Sequence, residues 1–78
     1  MPKRRVLSAT DVRKILILNG FDEVRQKGSH IVFRKRQLLS SGKHTTYTTI
    51  VPNHKEIDPG TLGSIIRKSV LPKELFDT

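Results

Sequence analysis

The stretch Val24-Arg25-Gln26-Lys27-Gly28-Ser29-His30-Ile31-Val32-Phe33-Arg34-Lys35 decides how this chain folds. Two runs, Val24–Lys27 and Ser29–Lys35, are hinged at Gly28-Ser29. Glycine takes a positive φ at little steric cost, so the pair reads as a β-hairpin. Side chains alternate along a strand. Ile31 and Phe33 therefore share one face, and His30, Val32 and Arg34 the other. With Ile31 and Phe33 turned to the core, His30 and Arg34 project from the open side. A tight turn then brings Arg25 and Lys27 beside them on the neighbouring strand. A one-residue slip in register would reverse the assignment.

Upstream of the hairpin, Ser8 and Asp11 have the spacing of a helix capping box. Val12, Ile15, Leu16 and Asn19 follow at helical spacing, Leu18 flanks the stripe, and Arg13 and Lys14 take the wet side. Asn19-Gly20 is a helix stop. Ile17 falls off the apolar face. Downstream, Gln37 to His44, centred on Ser40-Ser41-Gly42, reads as a polar loop. Thr45-Thr46-Tyr47-Thr48-Thr49-Ile50-Val51 is dense in β-branched residues and predicts a third strand, ended by Pro52. Asp58-Pro59 is an N-cap with proline at the first helical position. The second helix carries Leu62, Ile65 and Ile66, with Arg67 and Lys68 near its negative end. Gly63 inside it costs about 1 kcal/mol relative to alanine. Pro72 to Phe76 predicts one last turn that docks Leu75 and Phe76.

The expected order is helix, three antiparallel strands, helix. That is an α+β domain of the double-stranded-RNA-binding type, with both helices packed on one face of the sheet. Residues 1–7 are expected to form a flexible basic arm and residues 8–78 a single domain.

Fifteen Lys and Arg face seven Asp and Glu in 78 residues, a formal charge of +8. The excess is concentrated. Residues 1–36 hold ten basic and three acidic side chains, and from Arg25 to Arg36 there are five basic residues, one histidine and no acid. Such a patch points to a polyanion, nucleic acid before an anionic membrane surface. A domain this small buries only ~60% of its unfolded surface, so a large catalytic cleft is out of reach. The chain has no cysteine, which excludes disulfides, thiolate metal sites and thiol nucleophiles. Neither a signal-length apolar run nor one of membrane-spanning length is present, so a cytoplasmic protein is expected.

Three histidines are the side chains that titrate near neutral pH without help. They sit far apart in sequence and form no metal-ligand pattern, and the few carboxylates argue against a two-metal nuclease. No phosphate-cradling glycine loop or nucleophile elbow occurs, and no small-molecule cofactor is expected. His44 reads as a loop residue. His54, with Glu56 and Asp58 nearby, reads as part of a solvated connector. His30 lies in a basic hairpin, although spacing alone fits an ordinary strand histidine better. RNA makes one histidine sufficient for chemistry, because the 2′-hydroxyl beside the scissile phosphate is a built-in nucleophile. A positioned acid or base contributes ~10² to 10⁴ in rate, and cations offset charge developing on the phosphorane. His30 would be that acid or base, the choice staying open, with Arg25, Lys27 and Arg34 holding the backbone.

Lys27-Gly28-Ser29-His30 with Phe33 resembles the signature of the HicA-type toxins, the mRNA interferases of HicAB toxin–antitoxin modules. Asn19-Gly20-Phe21 with Val24-Arg25 resembles the family's helix-to-strand junction. Ile50-Val51-Pro52-Asn53-His54 and Gly60-Thr61-Leu62-Gly63-Ser64-Ile65-Ile66-Arg67-Lys68 resemble its two C-terminal blocks, in the same order. The resemblance implies metal-independent cleavage of mRNA with His30 as the catalytic histidine, and a HicB-type antitoxin that covers the site. The full set of residues expected to contact RNA is Arg25, Lys27, Gly28, Ser29, Arg34 and Lys35. Departures are Ile31 where a second histidine is common, Gly63 where a basic residue is frequent, Ser69-Val70 at the end, and a long Gln37–His44 loop. A catalytically silent RNA-binding module on the same fold is the alternative. A domain recognising an acidic protein is a further one. DNA binding by a helix–turn–helix is disfavoured, since no two helices adjoin in sequence.

Overall fold

The computed structural model describes residues 6–77. Helix α1 (Ala9–Leu18) is followed by strands β1 (Asp22–Lys27), β2 (His30–Leu38) and β3 (His44–Pro52). Helix α2 (Pro59–Ser69) and a 3₁₀ turn (Lys73–Phe76) complete the order. The strands form one antiparallel sheet with β2 in the middle. This is the α-β-β-β-α architecture expected from the sequence.

Both helices begin at side-chain caps. The Ser8 hydroxyl accepts from the Asp11 N–H at 3.2 Å, and the Asp11 carboxylate accepts from the Ser8 N–H at 3.0 Å. Each bond satisfies a donor that a helix start leaves unpaired. At α2 the Asp58 carboxylate accepts from the Thr61 N–H at 3.0 Å and from the Thr61 hydroxyl at 2.6 Å. These bonds, the hydroxyl first, hold the Asp58 carboxyl below its ordinary pKa. Helix α2 stops at Val70, which takes a left-handed φ of 59°.

The core is made by Val12 and Leu16 of α1, Leu62 and Ile65 of α2, Phe21 and Ile57 from the connections, and Ile31, Phe33 and Val51 of the sheet. All three sheet residues point to the same side, so both helices cover one face and the other stays open. Phe76 is buried and Leu75 half-buried, as the last turn requires. Ile17 is 46% exposed and Leu18 84%, both off the packed stripe of α1.

Several boundaries differ from expectation. Residues 1–5 of the expected basic arm lie outside the described residues. Leu7 does not behave as part of an arm: it is 1% exposed, and its carbonyl accepts from the Ile57 N–H at 2.9 Å. Strand β1 begins at Asp22 rather than Val24, because a β-bulge between Glu23 and Arg25 lets the ladder continue past Val24. The loop expected over Gln37–His44 is shorter. Gln37 pairs with Thr45 and Leu38 with His44, so the threonine-rich strand carries the ladder two rows further. Leu39 to Lys43 close the turn, with the Leu39 N–H donating to the Lys43 carbonyl at 2.7 Å.

Candidate functional site

Register decides which side chains meet. The turn between β1 and β2 has two residues, with Gly28 at φ +60°, and it pairs Lys27 with His30. A positive φ at the first turn position only fits the type II′ hairpin, which favours glycine there. The Gln26 side-chain amide donates to the Gly28 carbonyl at 3.0 Å, and the Asn53 N–H donates to the Ser29 carbonyl at 2.6 Å. The turn is therefore tied both to its own strand and to the end of β3. His30 is the first residue of β2, at the corner where these bonds converge.

Counting outward from that corner gives the rows of the open face. Lys27, His30 and Pro52 make the first, Arg25, Val32 and Ile50 the second, and Asp22, Arg34 and Thr48 the third. Arg36 with Thr46 and Leu38 with His44 continue on β2 and β3 alone. His30, Arg25, Lys27, Arg34 and Arg36 are all exposed. Among the described residues the four cations make no ion pair, and the His30 ring makes no hydrogen bond. The ion pair of Arg13 with Glu23, at 2.8 Å, lies on the helix side. The open face thus offers unpaired positive charge on both strands beside an accessible imidazole, with Asp22 as the acid nearest by register.

Of the residues singled out from sequence, the structure brings Arg25, Lys27, His30 and Arg34 together, with Gly28 and Ser29 forming the turn beside them. Lys35 is not among them. It alternates with Arg34 and lies on the helix side, its Nζ 6.0 Å from the centroid of the Phe21 ring, within reach of a cation–π contact. Arg36, left out of the sequence set, belongs to the open face. The alternation that selects His30 and Arg34 selects it too, two residues further on.

The other two histidines are elsewhere. His44 stands four rows from His30 along the sheet, about 27 Å by strand rise. His54 is exposed, and its carbonyl accepts from the Ala9 N–H at 2.9 Å, so its backbone joins the connector to the start of α1. Among the described residues no three His, Cys, Asp or Glu side chains are grouped to hold a metal ion. No helix among them is long and apolar enough to cross a membrane.

Comparison with known families gives a match to the HicA toxin of bacterial toxin–antitoxin systems over residues 9–71. The matched span runs from the first residue of α1 past the end of α2 and includes every row of the open face. No curated protein matches the chain closely enough to count as a relative. The match covers most of the chain, and the chain therefore belongs to the HicA toxin family, the toxin half of a bacterial toxin–antitoxin pairing.

Proposed function

We propose that this toxin is an endoribonuclease that cuts mRNA without a metal ion, through the single histidine His30. A HicB-type antitoxin silences it by covering the same face. The observation that carries this reading is the exposed His30 at the sheet corner, with Lys27 across from it and Arg25 and Arg34 one and two rows away. A family of toxins associated with RNA cleavage is the second support.

The chemistry asks little of so small a fold. The 2′-oxygen of the RNA attacks the adjacent phosphorus, forming the O2′–P bond as the P–O5′ bond breaks. One proton leaves the 2′-hydroxyl and one reaches the departing 5′-oxygen. His30 performs one of these transfers, a role worth ~10² to 10⁴ in rate. Arg25, Lys27 and Arg34 bind the phosphates and offset the charge gathering on the phosphorane. The Gly28-Ser29 turn lets the backbone approach closely beside the ring. Because the RNA supplies its own nucleophile, no metal-bound water is needed. Its substrate puts the toxin's action in the cytoplasm.

Expression of the toxin without its antitoxin should arrest growth, and His30→Ala should abolish the arrest. The variant should keep its circular dichroism spectrum and still capture the antitoxin. Arrest that persists in a folded His30→Ala protein would remove His30 from the mechanism. RNA that is bound but never cut would leave a silent binding module.

A further inference from the structure

The second row of the open face is not explained by phosphate binding. Val32 and Ile50 are register partners on β2 and β3, directly beyond the His30–Pro52 row. Ile50 is 46% exposed and Val32 half-buried, and both point away from the core. Arg25 ends this row on β1, and Arg34 and Thr48 occupy the next. Val24, 44% exposed, sits at the bulge beside Arg25. One exposed aliphatic side chain is ordinary on a soluble protein. A pair of them, in register and bordered by cations, suits a ligand with a flat apolar face and an adjacent negative charge. A nucleotide has that form.

We propose that Val32 and Ile50 are the floor of a subsite for one unstacked nucleobase next to the scissile phosphate, so that the toxin acts on unpaired RNA rather than on duplex. This rests on the reading of His30 as the cleavage site. Two residues along a strand span ~6.7 Å, which sets the aliphatic floor about one nucleotide step from the His30 ring. In an A-form duplex the base faces are stacked inside, and a protein meets phosphates and 2′-hydroxyls across the minor groove. A duplex would leave Val32 and Ile50 without a partner. Proteins that hold single strands combine a cationic track with a surface on which bases lie. Here the track continues through Arg34 with Thr48 and Arg36 with Thr46, exposed register partners on the same open face, whose guanidinium and hydroxyl groups suit further phosphates. An unstacked base also frees the sugar–phosphate backbone to bring O2′, phosphorus and O5′ into line, which displacement requires.

The test is binding of a short 2′-fluoro RNA of mixed sequence, which lacks the attacking hydroxyl, alone or annealed to its complement. Fluorescence anisotropy is read for the wild type and for the Val32→Thr/Ile50→Thr double variant at several salt concentrations. Threonine keeps the β-branched shape and strand preference while removing apolar surface. The wild type should bind the unpaired strand about tenfold more tightly than the duplex, and the variant should lose about tenfold on the unpaired strand. The salt slope should stay the same, because no charge is removed. Should the double variant lose its fold, Ile50→Thr alone, at the more exposed position, carries the comparison. Duplex bound as tightly as single strand, or variants that bind the single strand like the wild type, would overturn the subsite. Cleavage of ordinary RNA is scored separately with wild type and His30→Ala. Cutting without a base subsite and a base subsite without cutting are therefore distinct results.

Discussion

Gly28 has a φ of +60°, and a Cβ built there meets nothing within 4 Å. Any penalty for a larger residue is then one of backbone strain alone, about 1–3 kcal/mol for a backbone conformation that L side chains rarely adopt. Gly28→Ala should lower stability by that amount and the melting temperature by ~4–8 °C for each kcal/mol. An unchanged thermal melt would mean that the turn does not need the glycine. Asp58 makes a prediction in pH instead. Its carboxyl is held below the ordinary carboxylate pKa by the Thr61 hydroxyl and N–H. A depressed folded-state pKa contributes stability above the unfolded value, and that contribution is lost as pH falls through the folded value. Asp58→Asn should therefore melt below the wild type at neutral pH. The gap should narrow as the solution is acidified and the wild-type carboxyl is protonated too. A gap that stays constant with pH would show that the charge contributes nothing to the cap.

The β1–β2 hairpin is the element that assembles the candidate site, since it sets Lys27 opposite His30 and Arg25 opposite Val32. If both cations hold phosphates, Arg25→Ala with Lys27→Ala should weaken RNA binding and flatten its salt dependence. For a single strand each phosphate contact contributes ~0.7 to the slope of log K against log salt, so two lost contacts remove about 1.4. An unaltered slope would move the RNA to another surface. Much of this element is legible from alternation: Ile31 and Phe33 inward, His30 and Arg34 outward, and a glycine at the turn. The same alternation separates Lys35 from Arg34 and joins Arg36 to it, a signal obscured by treating a basic run as one patch. The bulge at Val24 leaves no comparable trace, because a strand residue and a bulged one have the same local preferences. The extension of β2 to Leu38 is hidden for a related reason. Gln37 and Leu38 have little strand character of their own, and they are paired because Thr45 and His44 stand across from them. The helices, by contrast, announce their starts through Ser8 with Asp11 and through Asp58 ahead of Pro59, and the bonds that Ser8, Asp11 and Asp58 make there are local.

At the scale of the whole molecule, the packed core and the candidate site are divided between the two faces of one sheet. Phe33, Ile31 and Val51 point to the helices and hold the core together. His30, Arg25, Lys27 and Arg34 point the other way and carry none of it. Leu7 shows the limit of composition as a guide, because a leucine next to a basic run closes the core against Ile57. Fold alone does not give function; here the family match adds the toxin role, and the open face supplies residues suited to RNA cleavage. The division of faces also means that His30 can be removed with little effect on stability, so the role proposed for it can be tested cleanly. Purified wild-type protein and His30→Ala are incubated with a long RNA in EDTA, and the RNA is examined for fragments. Fragmentation by the wild type alone is the expected result. The same fragments from the His30→Ala protein, or an intact RNA that the folded wild type only retards on a gel, would contradict cleavage through His30.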